Sequence, residues 1–178
     1  MIEARRLRKE IEIPAGVEVD VKEIIVVKGP KGEVSKKLFY PTLEITKQDN
    51  KIVIEPKNFT KREKKMINTY TAHILNMIKG VQEPFVYKVK ACSSHFPMTV
   101  SINGQILVVK NFYGEKVPRK AKIVDGVSVK IEGDEIIITG PSKEAVGQTA
   151  GNFEKCTRIT NRDRRIFQDG LWITEKAK

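Results

Sequence analysis

Two stretches of this chain are near copies of each other, and a duplication restricts the possible architectures more than any other feature. Ile24 to Val34 (IIVVKGPKGEV) lies on Ile106 to Lys116 (ILVVKNFYGEK) at a shift of 82 residues, with six identities in eleven positions, where unrelated sequence gives about one. A second block, Leu43 to Pro56 on Val127 to Gly140, needs a shift of 84. Both of its copies read as two short strands around a polar turn, Gln48 to Asn50 and Glu132 to Asp134. In a chain of 178 residues this predicts two small, similar domains rather than one large core.

A longer non-strand segment follows each pair of blocks. Asn58 and Thr60 can cap a helix whose apolar residues Met66, Ile67, Tyr70, Ile74, Met77 and Ile78 recur at three and four and which ends at Gly80. Pro141 and Ser142 open a second helix with Ala145, Val146, Thr149, Phe153 and Cys156 inward. Gly147 and Gly151 weaken that helix on its own and suit close packing on a sheet. EIEIP and VEVDV add strands at the start, and a basic loop, a short strand and a charged tail follow the second helix. The expected class is α+β, as two tandem copies of a small domain, each an antiparallel sheet packed with one α-helix. Residues 1–82 make the N-terminal domain and 83–178 the C-terminal one, the boundary falling between Val81 and Pro84, where KGVQEP gives way to the alternating FVYKVKA.

Thirty-three Lys+Arg against 22 Asp+Glu leave a net charge of +11, the sign that attracts phosphates. The halves share it: 17 basic against 11 acidic residues up to Gln82, then 16 against 11, so local clustering must locate any binding face. No apolar run reaches the roughly 18 residues of a membrane helix, and the basic start MIEARRLRKEIEIPA is followed by no secretory core, so the chain reads as cytosolic. Cys92 and Cys156 stand apart and read as reduced structural thiols. His73 and His95 have no ligand-spaced partners, so no metal or other cofactor is expected. There is no GxSxG, GxxxxGK or HExxH motif, GPKG reads as a hairpin turn, and no acidic pair sits in an apolar setting. These absences argue against an enzyme and against a small-molecule substrate.

Four of the nine arginines fall at Arg158, Arg162, Arg164 and Arg165, with Lys155 just before them. The planar guanidinium grips phosphate oxygens in a way lysine does not. At spacings of three, four and three, Lys155, Arg158, Arg162 and Arg165 form one stripe if helical, or line a loop that follows a backbone if the helix has ended by Thr160. Phe167 and Trp172 can stack on bases or anchor the last strand. Asn111 to Lys122 (NFYGEKVPRKAK) is a second basic, aromatic segment, and RRLRK, Arg5 to Lys9, a third that reads equally as a solvated end.

VVKGPKGE (Val26 to Glu33), AHILNMIKGV (Ala72 to Val81), SHFPM (Ser94 to Met98), NFYGEK (Asn111 to Lys116) and RRIFQDGLWI (Arg164 to Ile173) together resemble the signatures of the L-six family of large-subunit ribosomal proteins, in its archaeal and eukaryotic branch. Trp172 stands where that family pattern has tyrosine. The resemblance spans nearly the whole chain and implies a duplicated α+β fold and no enzymatic activity. It implies a structural constituent of the large subunit, with the C-terminal domain on rRNA near the sarcin-ricin loop and the factor-binding region below the stalk, and the N-terminal domain outward. Neighbouring ribosomal proteins near the stalk base and translation factors are the further partners it implies. Carried onto this sequence, the RNA-facing residues are Asn111, Phe112, Tyr113 and Lys116, then Ser142, Lys143 and Gln148, then Lys155, Arg158, Asn161, Arg162, Arg164 and Arg165. Asp169 and Gly170 are expected to shape the turn before the last strand.

The leading expectation is thus a protein that holds folded rRNA by phosphate and shape recognition. The alternative is a basic interaction module that docks acidic partners and has no preference for rRNA over another polyanion. An RNA-acting enzyme ranks last, since no acid-base pair or metal cluster stands in the basic half.

Overall fold

Period-two alternation interrupted by polar turns folds the described residues, 7–58 and 60–177 of the computed structural model, into thirteen strands and two long helices. The chain divides into two units, Met1–Pro84 and Phe85–Lys178. Arg5 and Arg6 of the RRLRK segment lie outside the described residues.

In the first unit, β1 (Lys9–Glu12), β6 (Lys51–Pro56) and β5 (Leu43–Gln48) form one antiparallel sheet in the order β1-β6-β5, and β2 (Glu18–Val21), β3 (Ile25–Gly29) and β4 (Gly32–Lys36) form a second. The α+β class holds, but the strands divide between two sheets where one was expected. The division lets both sheets turn an apolar face to the same helix. Ile25 and Val27 of β3, Ile52 and Ile54 of β6, and Ile67, Ile74 and Val81 of helix α1 (Lys61–Gln82) share one core. Thr60 caps α1, its hydroxyl oxygen accepting from Arg62 N at 3.2 Å. The helix runs past Gly80, because Val81 is fully buried and its carbonyl accepts from Lys31 N at 3.0 Å; packing overrides the glycine stop. Gly29 makes this approach possible, since a Cβ there would stand 2.7 Å from Val81 Cγ2 and 2.9 Å from its carbonyl oxygen. GPKG is the β3–β4 hairpin turn.

The second unit repeats this plan. β8 (Thr99–Asn103), β9 (Ile106–Lys110) and β10 (Arg119–Lys122) correspond to β2, β3 and β4. β11 (Ser128–Glu132), β12 (Glu135–Gly140) and β7 (Phe85–Cys92) correspond to β5, β6 and β1, and β13 (Gly170–Glu175) is added on the far side of β7. Helix α2 (Lys143–Cys156) packs on them, capped by Ser142, whose Oγ accepts from Ala145 N at 3.3 Å. It buries Val146, Thr149, Ala150 and Phe153; Ala145 and Cys156, expected inward, are only half-buried. Neither α2 glycine is demanded by packing: a Cβ at Gly151 would meet nothing within 4 Å, and one at Gly147 would make only an ordinary contact with the Tyr87 hydroxyl at 3.4 Å. Where Pro30 and Lys31 turn β3 into β4, the second copy opens a longer connection from Asn111 to Pro118, which begins with a 3-10 turn, Phe112–Gly114.

Candidate nucleic-acid interface

Three connections of the second unit converge: Ser94 to Met98 after β7, Asn111 to Lys116 after β9, and residues 157–169 between α2 and β13. One carboxylate gathers two of them. Asp169, 4% exposed, accepts from Ser94 N and His95 N, each at 3.0 Å, and from the Ser94 hydroxyl, with His95 Nδ1 also at 3.0 Å. Burial alone would raise its pKa, but the bonds from Ser94 and His95 outweigh that and hold the carboxyl well below the usual range. Asn111 ties in the third connection by donating from Nδ2 to Pro97 O at 2.9 Å. Gly170 has a φ of 147° and its Cα faces the Thr157 hydroxyl, which accepts from Leu171 N at 2.9 Å.

Aromatic rings fill the junction. His95 stacks on Phe167 with centroids 5.2 Å apart, and Tyr113 stands 5.8 Å from each. The Arg162 guanidinium lies 5.0 Å from the Tyr113 centroid and 4.9 Å from that of Phe167, so a strong cation stands over both rings while its side chain remains exposed. Burial, and then the Asp169 carboxylate, push the Tyr113 phenol upward, which keeps it neutral. The backbone bends sharply here, with positive φ at Asn111 (60°), Tyr113 (48°) and Gly114 (76°). A tyrosine in that region is strained, and its ring contacts and the Asn111 tether keep it there.

The helix ends at Cys156, so the basic residues beyond it line a loop and not a stripe. Arg119 closes that helix end. Its Nη1 donates to Cys156 O and Arg158 O, each at 3.0 Å, its other nitrogens bind Glu115 at 2.6 and 2.8 Å, and its Cζ lies 4.3 Å from the Phe112 centroid. A guanidinium there compensates the carbonyls at the negative end of the helix dipole. Burial pushes the Cys156 thiol upward, as suits a structural thiol.

The expected RNA-facing residues do not form one patch. Lys155, Arg158, Asn161, Arg162, Arg164 and Arg165 are exposed on and beyond the last turn of α2, and Lys116 is exposed on the β9–β10 connection. Ser142 and Lys143 belong to the other end of α2, about 20 Å away at 1.5 Å per residue, and Gln148 to its middle, about 12 Å from Cys156. Ser142 is occupied as a cap, Lys143 Nζ lies 5.6 Å from the Phe85 ring, and Gln148 Nε2 donates to Asn152 Oδ1 at 2.8 Å. Phe112 is a correction: at 1% exposure its ring is core and presents nothing to a ligand. Arg165, though exposed, is forked onto Asp163 at 2.8 to 3.2 Å and is not a free cation. Phe167 and Trp172 are held by their own chain, the indole N–H donating to Gln168 O at 2.9 Å. Sequence reasoning weighed His95 only as a metal ligand and Asp169 only as a turn residue; their partnership spans 74 positions and has no linear signal.

The family described as Ribosomal protein L6 matches residues 13–84 and again residues 96–170. The chain belongs to the ribosomal protein L6 family. Large ribosomal subunit protein uL6 of Methanobrevibacter smithii is 48% identical over 177 residues, 99% of each chain. Its counterpart in Methanococcus vannielii is 47% identical over 176 residues, 98% of this chain and 96% of that one. The two L6 copies differ where the arginines are. With the caps Thr60 and Ser142 aligned, Lys61 falls on Lys143 and Gln82 on Arg164, so the last turns of α1 correspond to the chain that leaves α2 after Cys156. The second copy spends on an arginine loop what the first copy keeps as helix.

Proposed function

We propose that this chain is a non-enzymatic structural constituent of the cytoplasmic large ribosomal subunit and that its second unit grips folded large-subunit rRNA. The family membership supports the ribosomal role, and the geometry of Arg162 supports the RNA grip. A guanidinium already held over Tyr113 and Phe167, in one loop with exposed Arg158 and Arg164, loses little side-chain freedom on meeting a phosphate. The contact region in this reading is near the sarcin-ricin loop and the factor-binding region below the stalk. The N-terminal domain, residues 1–82, is then the outward one.

The test is affinity across a salt series for an rRNA fragment that contains the sarcin-ricin region and for an unrelated duplex. If about five cations each displace a counterion, log K falls with log salt at a slope of about −3.5 to −4.5. The variant Arg162→Ala/Arg164→Ala/Arg165→Ala is expected to bind the fragment more weakly and with a shallower slope. Equal affinity for both RNAs, unchanged in the variant, would leave only a generic basic surface.

A further inference from the structure

A cleft of about 240 Å³ opens where the last turn of α2, the chain leaving it and β13 meet. Its lining combines buried Leu171, half-buried Trp172 and Glu154, and the exposed cations Lys155, Arg158 and Arg164; Asp169 also borders it, with both carboxylate oxygens taken by Ser94 and His95. The indole is fixed by its bond to Gln168 O, and the Arg164 guanidinium lies 5.5 Å from the ring centroid. Proteins that read single-stranded RNA splay a base out and stack it on an aromatic ring or a guanidinium plane. Here both planes stand in one cleft, and the exposed Arg164 side chain can shift to admit a base between them.

We infer that this cleft receives one unstacked nucleotide of the bound RNA, its base against Trp172 and Arg164 and its phosphate on Lys155 and Arg158. The inference rests on the RNA-binding reading and adds the kind of nucleotide taken. Glu154 sets that kind. A carboxylate accepts hydrogen bonds, so between the pyrimidines it favours the cytosine N4 amine over the uracil O4 carbonyl at the same position.

Trp172 is the sole tryptophan in the sequence, so its fluorescence reports on this cleft alone. The full chain is titrated with oligocytidylate and oligouridylate hexamers and with cytidine monophosphate. The cytidylate hexamer should quench Trp172 and bind about fivefold more tightly than the uridylate one, and Glu154→Gln should reduce that preference to about twofold or less. Anisotropy of end-labelled hexamer should show about a tenfold loss for Trp172→Leu, within the range for one stacked base, and near-full affinity for Trp172→Tyr. Hexamer or rRNA-fragment binding without a change in Trp172 emission overturns the cleft assignment and leaves the RNA-binding reading standing. Failure to bind either hexamer or the rRNA fragment overturns both. Cytidine monophosphate that binds as tightly as the hexamer overturns the RNA occupant in favour of a free nucleotide.

Discussion

Asp169 joins two connections with one buried carboxylate, and its protonation is therefore linked to folding. Its folded pKa lies below the ordinary aspartate value, so the stability it contributes is present above about pH 4 and is lost as the pH falls further. Asp169→Asn should cost about 2 to 3 kcal/mol at pH 7, the loss of charged hydrogen bonds at a buried site. In thermal unfolding the gap to wild type should shrink between pH 5 and pH 3; a gap that stays constant would mean the charge is not what matters. Gly29 supplies a second residue-scale prediction. Gly29→Ala drives a methyl into Val81 and its carbonyl, and denaturant unfolding should show a loss of about 1 to 3 kcal/mol. Some of this was legible in the sequence: Thr60 and Ser142 announced their caps by residue type and position. Phe112 and Tyr113 were not separable, because adjacent aromatics in a turn carry no periodicity to say which one enters the core.

At the scale of elements, the contrast between α1 and α2 carries the functional argument. Both begin with a hydroxyl cap and a lysine, but α1 continues to Gln82 while α2 stops at Cys156 and releases the arginine loop. Arg119 stabilises that stop. Arg119→Ala removes the donor to Cys156 O and Arg158 O and should destabilise the second unit by about 1 to 2 kcal/mol. Amide exchange should quicken first in residues 153–160; uniform quickening across the unit would instead mean that Arg119 matters mainly to the core beneath Phe112. The hairpins and helices were readable from periods of 2 and 3.6. The division into two sheets per unit was not, because alternation shows which face of a strand is apolar and not which sheet the strand joins. The helix stop was left open for a similar reason: arginines at spacings of three and four suit a helix stripe as well as a loop.

At the scale of the whole molecule, charge is shared almost evenly between the halves, yet the two units display it differently. In the first unit lysines are scattered over the surface, with pairs such as Lys57–Glu44 at 2.9 Å and Lys28–Glu33 at 3.6 Å. In the second, arginines cluster on one loop and stand on aromatic rings. The duplication and the class of the fold were visible in the sequence, since repeated strand patterns survive divergence. The face that distinguishes the copies was only partly visible, because it is assembled from three connections that meet through Asp169 and the ring cluster. In the function proposed above, this loop, and not the overall basic charge, holds the RNA. The most direct test of that reading is incorporation into large subunits reconstituted from purified rRNA and proteins, with two variants that each lose three positive charges. One carries Arg158→Ala/Arg162→Ala/Arg164→Ala, and the other Lys61→Ala/Lys64→Ala/Lys65→Ala in α1. The loop variant should incorporate at least about tenfold less well than wild type while the α1 variant incorporates normally. Equal losses in both variants would contradict that reading.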